Sequence, residues 1–239
     1  MIRRLRRDVS SELPKITYSF VPLRIDNNEE YNDAEKEFIS FAVEQTEHEL
    51  SGTNTKLNSY LEKLIQLTIN SKFNQASEWI KNFLEIGNKL ILFTTSQVAL
   101  NRMMVMFPEV SVKLDGSVSN YEHKAIIDTF EKNERQRLLI CDANLFGKGI
   151  NLPSINYIAF YELPWTPRLL EETQNMIDGR CINEKINIYF LIAACSIEDK
   201  MARLLENKLS LNYPTAKLIE VDSDLLFNDL MKEYRRMTK

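Results

Sequence analysis

The sequence predicts an α/β protein, a doubly wound parallel sheet with helices on both faces, preceded by a helical N-terminal extension. Three observations predict it. From about residue 89, short apolar segments alternate with stretches of helical spacing, the pattern of successive βαβ units. The first 70 residues lack that alternation and carry two helical patterns instead. At 239 residues, with 44% hydrophobic and 27% charged residues, the chain is long enough to bury a sizeable core.

In chain order, ITYSFVPLRI (16–25) reads as a strand. Ala34, Phe38, Phe41 and Ala42 then mark one helix, and Leu57, Leu61, Leu64 and Ile65 a second, with SGTNT (51–55) as the turn between them. Five strands follow: KLILF (89–93), SVKLD (111–115), RLLICD (137–142), YIAFYE (157–162) and INIYFLIA (186–193). Helices are expected over 96–106, 119–132, 167–178 and 196–208. Ser119 with Glu122, and Ser196 with Asp199, have capping-box spacing, and Thr166-Pro167 offers an N-cap followed by a first-turn proline. The last 29 residues, from Leu211, form a mixed segment with a polar helical end. The expected divisions are 1–70, 71–210 and 211–239.

Composition excludes several classes. No run of 18 apolar residues occurs, and MIRRLRRDVSS has no apolar stretch after its arginines, which predicts an intracellular protein without a membrane partner. Cys141, Cys181 and Cys195 have no metal-ligand spacing, and their odd number opposes a disulfide framework. His48 and His123 lie far apart and read as solvated surface residues, so no metal site is expected. With a net charge of −4, nucleic-acid binding has to come from a local patch. Arg3, Arg4, Arg6 and Arg7 form the one dense basic cluster, which alone reads as a solvated end.

Open parallel sheets bind ligands beyond the carboxyl ends of their strands. Four loops there carry unusual residues: Thr94-Thr95-Ser96, Asp115-Gly116-Ser117, Asp142 to Asn151, and Glu162 to Pro167. Singly each has a plain explanation: a helix cap, a common turn, a buried small thiol at Cys141, a core Trp165. The stretch CDANLFGKGINL (141–152) resembles a phosphate loop only superficially. A Walker loop needs a glycine five positions before Gly147, where Asp142 stands, and a hydroxyl residue after Lys148, where Gly149 stands. No catalytic acid/base pair, Ser-His-Asp arrangement or dinucleotide fingerprint appears.

Taken in order, these loops resemble the motifs of the second RecA-like lobe of superfamily 2 helicases, most closely the Swi/Snf-type DNA translocases. RRLRRDVSSELPK resembles the hand-over from that family's first lobe. KLILFTT resembles motif IV, and LDGSVSNYEHKAIIDTFE the Asp-Gly-Ser stretch and its helix. CDANLFGKGINLP resembles motif V, YELPWTP the acidic-x-x-Trp-x-Pro stretch, and CSIEDKM the acidic start of the helix after the last strand.

The resemblance implies a motor of two lobes. The first, absent from this chain, carries the P-loop and the Mg²⁺-binding motif, and the second closes on ATP and grips one strand of double-stranded DNA through its phosphates. Alone, the second lobe is expected not to hydrolyse ATP. Thr94, Thr95 and Ser96 are the implied DNA-backbone contacts, with Ser117, Asn144 and Lys148 on the same track. Gly147, Gly149, Asn151 and Asp178 are implied on the nucleotide side. ATP and Mg²⁺ are thus the expected cofactors, and the first lobe an expected partner.

The departure is motif VI. The family pattern Gln-x-x-Asp-Arg-x-x-Arg ends in an arginine finger, whereas EETQNMIDGRCIN (171–183) keeps both arginines in neither alignment. Without a gap from Trp165 they fall on Met176 and Gly179. Matching Asp178 and Arg180 leaves Asn183 at the second position. Either Arg180 serves as the finger through a locally altered helix, or the motor is slow, regulated or inactive. The alternative function is a degenerate lobe acting as a DNA- or protein-binding scaffold.

Overall fold

Strands form where the apolar runs are. The computed structural model describes residues 15–26, 28–44, 55–117, 119–145, 155–163, 185–210, 229–232 and 234. Its strands are β1 (Lys15–Leu23), β2 (Leu90–Thr94), β3 (Ser111–Leu114), β4 (Leu138–Asp142), β5 (Tyr157–Phe160) and β6 (Lys185–Ala193). They lie in one sheet in the order β1-β6-β5-β2-β4-β3, and the pairs from β6 to β3 are all parallel. The chain moves from β2 outward to β3, returns through β4, and crosses β2 to reach β5 and β6. Such a reversal of strand order is where open α/β sheets place ligands. Central β2 is buried along its whole length, which is why LILFT can be apolar with no polar face.

The helices are α1 (Asn28–Glu44), α2 (Thr55–Ser71), α3 (Phe73–Glu85), α4 (Gln97–Met106), α5 (Asn120–Lys132) and α6 (Ile197–Ser210). Helix α1 buries Tyr31, Ala34, Phe38 and Ala42, one stripe at spacings of three and four. Helix α2 buries Leu57, Leu61, Leu64 and Thr68 in the same way. Helix α3 fills a stretch for which the sequence reading proposes no element, although Phe73, Ala76, Ser77, Ile80 and Leu84 form a helical stripe, all buried. No described helix is long and apolar enough to cross a membrane.

Two capping boxes were expected, and they differ. Ser119 forms the full capping box with Glu122 at the start of α5. Ser196 accepts from the Glu198 backbone N–H and donates to the Ala193 carbonyl, whereas the Asp199 carboxylate pairs with Arg203 one turn on. The start of α6 was legible, but its partner is Glu198.

One compact unit comprises, among the described residues, those up to Val21, from Ala76 to Leu163 and from Lys185 to Leu191. Across four neighbouring strands of its sheet, Phe20, Phe190, Phe160 and Phe93 stack in sequence with ring centroids 5.1, 5.5 and 5.4 Å apart. The register that pairs Phe93 with Phe160 and Phe160 with Phe190 makes this ladder possible.

The second unit comprises the described residues from Pro22 to Gln75 and from Ile192 onward. Lys72 and Glu198, both fully buried, form an ion pair at 2.6 Å, and Glu198 also accepts from the Ala193 N–H at 2.8 Å. Glu35 accepts from the Tyr31 and Tyr234 hydroxyls and from Lys200, while the Tyr31 hydroxyl receives the Ile197 N–H. Burial and then the Glu35 carboxylate push the Tyr31 phenol upward. Burial, then Tyr31 and Glu35, do the same to Tyr234. Both phenols stay protonated and can donate.

Candidate functional site

The strand register brings the four loops to one level. Thr94 lies opposite Asp142, Leu114 opposite Cys141, and Phe93 opposite Phe160, so the residues just beyond each strand share the carboxyl edge of the sheet. Three carboxylates organise that edge, each by accepting hydrogen bonds from loop donors.

Glu162 is nearly buried and reaches across to the turn after β2. It accepts from the Thr94 hydroxyl at 2.6 Å, from the Thr95 N–H at 3.1 Å and from the Ser96 N–H at 3.2 Å. Ser96 is the N-cap of α4 and accepts from the Ala99 N–H. Thr94 is buried, Ser96 half-buried, and the Thr95 side chain exposed. Of the three hydroxyl residues proposed for phosphate contact, Thr95 presents itself to solvent, whereas Thr94 builds the turn.

Asp115 is held by its own loop. Its carboxylate accepts from the Ser117 N–H at 3.0 Å and from the Ser117 hydroxyl, and pairs with Lys113 at 2.7 Å. Burial pushes the carboxyl up, but the Lys113 and Ser117 hydrogen bonds and the Lys113 charge outweigh it, bringing it down to about 2. His123, expected as a solvated residue, is instead buried beneath this turn, its Nε2 at 2.8 Å from the Asp115 carbonyl oxygen. A carbonyl only accepts, so Nε2 carries the proton and Nδ1 remains without a hydrogen-bond partner. The apolar positions of α5 set this burial: His123, Ile127 and Phe130 lie on one stripe. His48 lies outside the described residues.

Asp142 ends β4 and accepts both the Asn144 N–H and its side-chain amide at 2.8 Å, closing one turn of 3₁₀ helix, Ala143–Leu145. Neighbouring Cys141 is buried, and burial, followed by the Asp142 charge, pushes its thiol up. It is the small packing residue that its sequence context suggests. Gly147, Lys148, Gly149, Asn151, Trp165, Thr166, Pro167, Asp178 and Arg180 lie outside the described residues.

The edge therefore brings Thr94, Thr95 and Ser96 together with a residue given no individual role from sequence, Glu162. Its signal was an acidic residue at the end of an apolar strand. As a Mg²⁺ site the described edge is a poor fit: its three carboxylates already accept loop donors, and no three metal-ligating side chains cluster among the described residues.

Comparison with known proteins agrees with this geometry. Residues 71–182 match the family model described as "Helicase conserved C-terminal domain". The human DNA annealing helicase and endonuclease ZRANB3 is 23% identical over 87% of this chain, which spans about 20% of that relative's length. The Sulfolobus solfataricus SWI2/SNF2 ATPase C-terminal domain superposes with a TM-score of 0.64 at 20% identity, covering 93% of this chain and 97% of that one. The SWI2/SNF2 ATPase core of the same organism, solved in complex with dsDNA, gives 0.68 at 22% identity, covering 93% of this chain and 49% of that one. Residues 71–182 are thus similar to the helicase conserved C-terminal domain, and the parallel sheet has the fold of the solved SWI2/SNF2 ATPase C-terminal domains.

Proposed function

We propose that the chain is the second motor lobe of an ATP-dependent DNA translocase, closing on ATP held by a first lobe and gripping the phosphate backbone of duplex DNA along the carboxyl edge of its sheet. One observation carries this reading: the turn after β2 presents the Thr95 side chain to solvent on a backbone fixed by Glu162 and by the Ser96 cap. A preorganised hydroxyl donor contacts phosphate without reading bases. Ser117 and Asn144 continue the track, with donors that rest on Asp115 and Asp142 and become available by side-chain rotation. Lys148 adds charge to it.

On the nucleotide side, Gly147, Gly149, Asn151 and Asp178 face ATP, and Arg180 supplies the permanent, bidentate charge that phosphoryl transfer requires. ATP and Mg²⁺ are held mainly by the first lobe, so the isolated second lobe turns over no ATP.

The test is ATP turnover by this lobe together with its first lobe, with and without duplex DNA. DNA-stimulated turnover is expected. Thr95→Ala should raise the DNA concentration for half-maximal stimulation roughly ten- to thirtyfold, the loss of one hydrogen bond to a charged group. Absence of turnover with both lobes present would favour a scaffold that binds DNA or protein without hydrolysis.

A further inference from the structure

The geometry points to Glu162 as a positioning residue for DNA engagement, holding the phosphate-facing turn from a different loop. The inference rests on the functional reading above and adds to it a residue that touches neither DNA nor nucleotide.

The three carboxylates of the edge are not equivalent. Asp115 takes its donors from Lys113 and Ser117, and Asp142 from Asn144, all within two residues. Glu162 takes its donors from 66 to 68 residues away, on the loop after β2. It is thus the carboxylate that ties two loops of the edge into one body.

Its placement also decides how the turn can meet a phosphate. The Thr95 and Ser96 N–H groups stand at the start of α4, where backbone donors and the helix dipole attract anions. Glu162 already fills that position, and Ser96 takes the Ala99 N–H. The Thr95, Ser96 and Ala99 N–H groups are therefore already committed when a phosphate arrives. What the turn offers is the exposed Thr95 side chain, aimed by a backbone whose donors are satisfied.

Atom by atom, the two oxygens divide the work. Oε1 takes the Thr94 hydroxyl and the Ser96 N–H, and Oε2 takes the Thr95 N–H. An amide in place of the carboxylate can preserve the first set with its oxygen. Its NH₂ then faces the Thr95 N–H, donor against donor, and that peptide has to move. Glu162→Gln is therefore aimed at the orientation of Thr95 with little change in volume.

The experiment uses the lobe with its first lobe and titrates duplex DNA at saturating ATP. Glu162→Gln is expected to raise the DNA concentration for half-maximal stimulation about tenfold, while the maximal stimulated rate stays within about twofold. Thr94→Val, isosteric and lacking only the hydroxyl, should shift half-saturation in the same direction by about threefold, and it carries the test if the Gln variant fails to fold. A purely structural Glu162 would lower the maximal rate and the melting midpoint and leave half-saturation in place, which overturns the assignment. Half-saturation unchanged in the folded variants overturns it too. If the unaltered two-lobe protein shows no DNA-stimulated turnover, the functional reading fails and the inference falls with it.

Discussion

At the scale of single residues, the edge is built by carboxylates that are already satisfied. Asp115 shows what this means for stability. Its carboxyl sits at about 2 in the fold against an ordinary 3.8, so the ionised form favours folding. That contribution is fully present above the ordinary value, is lost as pH falls from about 3.8 to about 2, and amounts to about 2 kcal/mol at neutral pH. Asp115→Asn should therefore lower the unfolding free energy by about that much at pH 7, and denaturant titrations of the two proteins should converge near pH 2. A gap that persists unchanged at pH 2 would place the effect in packing. The buried pair in the second unit follows a different rule. Lys72→Met strands the Glu198 carboxylate with the Ala193 N–H as a remaining donor and should cost about 3–5 kcal/mol. Replacing both partners with apolar residues should cost much less, a non-additivity that a double-mutant cycle measures directly.

Helix ends tell the same story at the scale of elements, because cations that immediately precede strands close them. Lys89, just before β2, donates to the carbonyls of Phe130, Glu131 and Asn133 at the end of α5, with its ammonium over the Phe130 ring. Arg137, just before β4, donates to the Leu84 carbonyl in the last turn of α3. Lys89 satisfies carbonyls beyond the reach of the helical N–H groups, and Arg137 shares the Leu84 carbonyl with the Gly87 N–H. Burial lowers the Lys89 pKa, while the Glu134 and Glu131 charges oppose that fall. Lys89→Met keeps the apolar stem and removes the cap, so a loss of about 1–2 kcal/mol is expected in chemical denaturation. Element type was legible wherever period and punctuation agreed: strands β2 to β6 and helices α4 and α5 fall within a residue or two of their expected places. The stripe of α3 was present but unused, since Ser77 interrupts its apolar positions and two aromatic residues, Trp79 and Phe83, blur its polar face. His123 was misread because a lone histidine carries no sign of the carbonyl that will meet it. Glu162 could be seen as an acidic residue at a strand end, but a bond spanning 68 residues depends on register, which sequence alone does not supply.

For the whole molecule, the order of motifs along one sheet edge carried the resemblance to helicase C-terminal lobes, and that edge also divides the proposed labour. In the proposed division, the loops after β2 and β3 take the DNA side. The loop after β4 serves both, with Asn144 and Lys148 for DNA and Gly147, Gly149 and Asn151 for the nucleotide, and Arg180, in the connection between β5 and β6, stands for the nucleotide side. If the two sides are separable, their variants should fail differently. Arg180→Ala removes transition-state charge and should reduce ATP turnover of the two-lobe protein on the order of 10³-fold, while duplex affinity in the absence of nucleotide stays near that of the unaltered protein. That affinity should fall steeply with salt and differ little between sequences, since phosphate contacts release counterions and read no bases. The departure in motif VI makes this the more informative experiment. With Asn183 where a second arginine stands in the family pattern, Arg180 is the remaining candidate to meet the γ-phosphate in that alignment. Turnover that survives Arg180→Ala would assign the charge to another group, and measuring duplex affinity alongside it would show whether the DNA side had been touched at all.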